Sequence, residues 1–195
     1  MADKSRKTQI WLSLISFISS LLIMTLGGQV AHAATITGRK ITLSDSTGDA
    51  SSVSYTLTSS ALPTSGTPVK SVGVEFCTTA TGACSTPAGF TAASSTLAAQ
   101  PSGLGAASSW SVSSATAGEL RITHATNSTN PSGAVSIQWN GVHNPTANNT
   151  TFYGRITTYS DSAWTTGVDT GTVALSTSAQ IAVSVDVAEL LTFCT

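Results

Sequence analysis

Charge is scarce in this sequence: only 9% of its 195 residues are Asp, Glu, Lys or Arg. Beyond residue 33 the basic residues are Arg39, Lys40, Lys70, Arg121 and Arg155, outnumbered by the acidic ones. So sparse a set excludes the basic patch that nucleic acid demands and the polybasic segment that holds a protein to an anionic membrane. Histidine is scarcer still, with His124 and His143 the two that follow residue 33. Neither lies near a Ser or Cys nucleophile in a recognisable elbow, and Gly-x-Ser-x-Gly is absent. A zinc site needs more ligands than this spacing supplies. Glu75 and Glu119 alone do not define a glycosidase pair. Asp45 with Asp49, and Asp161 with Asp169, lack the dense acidic loop of a strong calcium site and read as solvated turn residues. No catalytic residue, cofactor or metal is therefore expected, and the chain does not read as an enzyme. A sustained 3.6-residue apolar period is also missing after residue 34, which argues against helices.

What is present begins with an export signal. Lys4, Arg6 and Lys7 precede an apolar run from Ile10 to Leu26, and Ala31-His32-Ala33 offers a small-residue cleavage site. That order is a secretory signal peptide over residues 1–33, leaving 34–195 as a single domain. The rival reading is an uncleaved anchor, for which the run is barely long enough to cross a ~30 Å hydrocarbon core. Export implies an oxidising compartment. Cys77 and Cys84 flank a turn-forming stretch, so a disulfide between them is expected. Cys194 is left over, either as a free thiol or as an intermolecular link.

The mature part is rich in Ser and Thr, and its apolar residues alternate with them. Val53, Tyr55 and Leu57 do so, as do Val72, Val74 and Phe76, then Val135, Ile137 and Trp139. Ile181, Val183, Val185 and Val187 form the cleanest run. Period two with β-branched and aromatic residues means strands with one face on a core. The pattern predicts strands near 35–44, 52–59, 69–77, 118–125, 134–140, 151–159, 169–176 and 179–193. Residues 85–117 read as short strands or a covering loop. Turn residues fall between these runs, including Asn-Pro pairs at 130–131 and 144–145. Eight to ten such strands make an all-β fold, an antiparallel β-sandwich of immunoglobulin or fibronectin type. In that reading the run from Phe152 to Tyr159 is the penultimate strand, with a tyrosine that closes a corner, and Trp139 is the largest core anchor.

Glu75-Phe76-Cys77, Cys84, Pro87 with Gly89-Phe90, Asn144-Pro145, the run from Phe152 to Tyr159, and Leu191-Thr192-Phe193-Cys194 form an ordered set. The set resembles uncharacterised exported β-sandwich surface proteins of ultra-small bacteria of the candidate phyla radiation, Saccharibacteria-like lineages among them. The resemblance spans the mature chain and implies a cell-surface or extracellular location, with no established activity.

Two functions compete. The first is a secreted or cell-surface structural protein that associates with itself or with other surface proteins. It would be a filament or surface-layer subunit using strand exchange, with Ile181 to Phe193 as the exchanged strand and Cys194 as a lock. The plainer alternative is that this segment completes its own sandwich. The second function is an adhesion or carbohydrate-binding module whose ligand-facing aromatics are Trp164, Tyr159 and Trp110. A Lys–Asn crosslink from Lys40 or Lys70, assisted by Glu75 or Glu119, is a further possibility for such surface domains. The glycosylation patterns at Asn127, Asn148 and Asn149 read as chance matches in a Thr-rich chain.

Overall fold

Alternation along each strand decides which side faces inward, and the computed structural model, which describes residues 33–113 and 116–179, is built on that alternation. In chain order the strands are β1 (Ala34–Thr35), β2 (Lys40–Leu43), β3 (Val53–Ser59), β4 (Ser71–Cys77) and β5 (Thr96–Leu97). They continue with β6 (Ser111–Val112), β7 (Glu119–Thr123), β8 (Val135–Val142), β9 (Thr151–Tyr159) and β10 (Gly167–Ser176). One sheet has the order β1-β10-β9-β4-β7-β6 and the other β2-β3-β8-β5. The fold is all-β, with two sheets facing one core, consistent with a β-sandwich. No α-helix occurs among the described residues. The expected signal segment and the run from Ile181 to Phe193, with Cys194, lie outside the described residues.

The inner faces are those the period predicts. Val53, Tyr55 and Leu57 of β3 meet Val72, Val74 and Phe76 of β4, with Phe152 and Ile156 of β9, all buried. Trp139 is the largest fully buried side chain, as expected of the core's anchor. Tyr55, Phe76 and Phe90 pack edge-on and tilted, with ring centres 4.5–6.1 Å apart. Each large apolar side chain removed from water contributes roughly 1.5–3 kcal/mol.

Three features depart from the sequence reading. The single first strand is divided: Gly38, at φ +59°, bends the chain between β1 and β2, which join opposite sheets. The sandwich is also not wholly antiparallel, because β1 runs parallel to β10, pairing Ala34 with Asp169. Finally, β8 extends past residue 140. Gly141, at φ +78°, sits where the β3–β8 register shifts, and the extra residue returns Val142 to the core side. Residues 85–117 prove to be mostly covering loop, with the short β5 and β6 each adding to a sheet edge.

Buried polar groups hold the loops. Asn144 is fully buried and joins two turns: Tyr55 donates its hydroxyl to Asn144 Oδ1 at 2.7 Å, and Asn144 Nδ2 donates to the Asp45 and Thr47 carbonyls. The corner expected of the β9 tyrosine is thus closed by Tyr55 of β3. Burial holds the Tyr55 phenol well above its usual pKa, so it stays a donor. Asn127 is likewise buried and donates to the Val69 and Leu104 carbonyls, which removes it as a glycosylation acceptor.

Candidate functional site

Two surfaces carry chemistry: the outer face of the larger sheet, and the flank where the edges of the two sheets come together.

The outer face follows from the same alternation. Positions 119 and 121 on β7, 73 and 75 on β4, and 155, 157 and 159 on β9 face away from the core, in register. Gly73 has no side chain here, and a cleft of 270 Å³ opens above it. Glu119 folds over the space a Cβ would fill, and the Tyr159 ring flanks it at 3.6 Å. Glu119, mostly buried, pairs with Arg121 at 2.6 Å. Glu75 stands directly opposite Glu119 in the ladder and is exposed, with no ion pair among the described residues. Desolvation is the main cause that raises the Tyr159 phenol pKa, which Glu119 and Glu75 raise further while Thr157 and Arg121 act against them.

Arg155, beside Glu75 in the register, is committed elsewhere. It donates to the Gly82 carbonyl at 2.8 Å and the Thr79 carbonyl at 2.9 Å. These carbonyls lie in the loop closed by the Cys77–Cys84 disulfide, which is present with S–S 2.02 Å. The disulfide fits an oxidising compartment. Glu75 approaches both sulfurs, yet sulfurs bonded to each other offer no thiolate to a metal.

Of the aromatics singled out from the sequence, the structure brings Trp164 and Tyr159 to this face and removes Trp110. Trp110 is 3% exposed and donates its Nε1 to the Ala106 carbonyl, so its ring has no face for a ligand. The reason is packing: it anchors the covering loop, edge-on to the half-buried His124. Trp164 is half-buried, with the Arg121 guanidinium 5.0 Å from its ring centre, so one ring face is occupied. Its loop is built by Asp161, whose carboxylate accepts from the backbone of Ala163, Thr165 and Thr166 and from the Thr165 hydroxyl. Desolvation works against the charged form, but these hydrogen bonds win and hold the Asp161 pKa well below the carboxylate range. Asp169 is not the solvated turn residue the sequence suggested. It is buried on β10 and accepts from the Thr64 hydroxyl at 2.6 Å. Lys40 is exposed on β2, which removes it as a buried crosslinking lysine, and Lys70 is only half-buried.

The flank is open. Beyond Thr170 and Thr172, whose carbonyls accept from Ile36 N and Arg39 Nε, the outer edge of β10 has no strand beside it among the described residues. Between that edge and β2 lies a groove of 260 Å³ lined by Ile41, Leu43 and Leu175, with Thr42, Ser46 and Ser176 at its rim. Sequence reasoning looked for the open edge in the last strand. It missed this one, whose only signal is that Gly38 stops β1 after two residues.

Among the described residues no helix is long and apolar enough to cross a membrane. No protein-family model matches the chain, and no curated protein matches it.

Proposed function

We infer that the protein is an exported structural subunit of the cell surface that assembles by strand exchange between copies. The observation that carries this is the open β10 edge above an apolar groove. A row of N–H and C=O groups without a partner among the described residues, beside half-buried Ile41, Leu43 and Val173, is a template for one more strand. The strand to fill it is the alternating segment Ile181, Val183, Val185 and Val187, offered by a second copy. Two contacts favour a neighbour over the chain's own return. After β10, Ser178 pairs in parallel with Thr47, and Ala179 N donates to Asn149 Oδ1. At Ser178 and Ala179 the chain is therefore led onto the turn between β2 and β3.

The finer fold reading supports the same conclusion. We read the sheet orders β2-β3-β8 and β10-β9-β4-β7 as an immunoglobulin- or fibronectin-like Greek key, an arrangement that leaves edge strands open to exchange. Export rests on residues 1–33, on the disulfide, and on the resemblance to exported surface proteins.

Light scattering and negative-stain microscopy of the exported protein test the reading. Concentration-dependent polymers are expected from the wild type and monomers from a chain ending at Ala179. A synthetic peptide of residues 181–193 should bind the shortened chain. Wild-type protein that stays monomeric at every concentration defeats the proposal. A non-reducing gel of Cys194→Ser against wild type reports whether that thiol locks the joint.

A further inference from the structure

The cleft above Gly73 does not stand alone on its sheet. A second depression of 380 Å³ adjoins it, lined by Thr35, Arg39, Thr170 and Thr172, and the two share Arg155 and Thr157. Together they form a trough that crosses β10, β9, β4 and β7, which is three inter-strand spacings or about 14 Å. An elongated depression of this combined size falls in the range of ligand sites.

Its chemistry is specific in kind. The walls are threonine hydroxyls and one aromatic ring, Tyr159. Two carboxylates, Glu75 and Glu119, stand against three guanidiniums, Arg121, Arg155 and Arg39, so the trough carries a net charge of only one. Arg39 is spent on the Thr172 and Ile36 carbonyls, which leaves no strong field for a charged ligand. Glu119 is already satisfied by Arg121, and Arg155 by the disulfide loop. That leaves the Glu75 carboxylate as an acceptor with no partner among the described residues, at one end of the cleft that the ring of Tyr159 also lines. An acceptor set against an aromatic wall, along a hydroxyl-lined channel, suits a ligand with donors in its plane and C–H groups on its faces. Pyranose rings have that form. A nucleic acid would need far more than one net positive charge, and an extended peptide would seek an edge and not the middle of a sheet.

We propose that this trough is a binding site for a neutral oligosaccharide. Glu75 accepts hydrogen bonds from sugar hydroxyls, Tyr159 stacks on a ring face, and Thr157 lies at the middle of the channel. The site lies on the sheet's outer face and the exchange groove on its flank, so the trough does not depend on assembly.

A glycan array that includes neutral and charged oligosaccharides tests the assignment, using the full chain expressed with residues 1–33 in place and purified from the host's exported fraction. Neutral glycans are expected to bind, with little change on raising salt. Thr157→Trp fills the channel from an outward-facing position, and Glu75→Gln removes the acceptor charge. Each is expected to weaken binding by about tenfold or more while thermal melting stays at the wild-type value. Wild-type protein that binds no neutral glycan, or binds charged glycans only, overturns the proposal. So does undiminished binding in both folded variants. Shared loss of polymers and glycan binding in the chain ending at Ala179 would show that the site forms only between copies, which also overturns it.

Discussion

Asn144 illustrates how one side chain sets the position of two loops. Its amide receives the Tyr55 hydroxyl in a buried bond and gives both protons to partly buried carbonyls of the turn between β2 and β3. Asn144→Ala leaves the buried Tyr55 hydroxyl without a partner and takes a donor from each of two loop carbonyls, and a buried unsatisfied group costs ~1–3 kcal/mol. Loss of at least about 2 kcal/mol in urea denaturation is expected, against ~1 kcal/mol for Tyr55→Phe, which removes a single bond. Asp161 makes the opposite case, an exposed-loop carboxylate whose effect is local. Its folded pKa lies below the ordinary 3.8, so the loop's hydrogen bonds are fully present above that value and are lost as pH falls through the depressed one. The backbone amides of Ala163 and Thr166, followed by NMR, should therefore keep their positions through the normal carboxylate range and move only in stronger acid. Asp161→Asn should shift them at neutral pH.

At the scale of the element, strands are fixed by what a residue lacks as much as by what it carries. Gly154 lies on the inner face of β9, where a Cβ would sit 2.7 Å from Ile41 Cδ1 and 3.3 Å from Val74 Cγ1. Gly154→Ala should therefore destabilise the fold by ~1–3 kcal/mol through overpacking, although alanine suits a helix or strand better than glycine elsewhere. Thermal melting decides, and an unchanged midpoint would show that Ile41 yields freely. The same residues explain how far the sequence could be read. Alternation located β3, β4, β7, β9 and most of β10, because a one-residue error would have turned a whole apolar set to water. It ended β8 too early because Gly141 puts Val142 out of phase, and a bulge has no period. It fused β1 with β2 because the apolar residues on either side of Gly38 look continuous, while the change of sheet is a matter of backbone angle. The site was legible only in pieces. Tyr159 and Trp164 stood out as aromatics, and Glu75 and Glu119 as strand carboxylates. The meeting of Tyr159, Glu75 and Glu119 around Gly73 needed the β4–β7–β9 register, and Trp164 reaches this face only through Arg121. Trp110 misled, since a tryptophan in a small-residue loop looks the same whether it caps the core or faces a ligand.

For the molecule as a whole, the question is whether the β10 edge is used, and the direction of its hydrogen bonds allows a selective test. Thr170 and Thr172 turn their carbonyls outward, to Ile36 N and Arg39 Nε. Strand alternation then turns the N–H groups of Ala174 and Ser176 outward as well, while Val173 and Leu175 bond to β9. A proline at an outward position removes a donor from the open edge and leaves the internal ladder whole. Ala174 is exposed, so Ala174→Pro adds no bulk to the core. If an incoming strand pairs along β10, this variant should remain folded, with its disulfide and near-wild-type melting, yet fail to polymerise at concentrations where the wild type does. Val173→Pro is the control: it breaks a bond to β9 and should lower stability as well as assembly. Polymers formed equally well by folded Ala174→Pro would mean that copies meet elsewhere. The apolar groove beside Ile41 and Leu43 would then need another occupant.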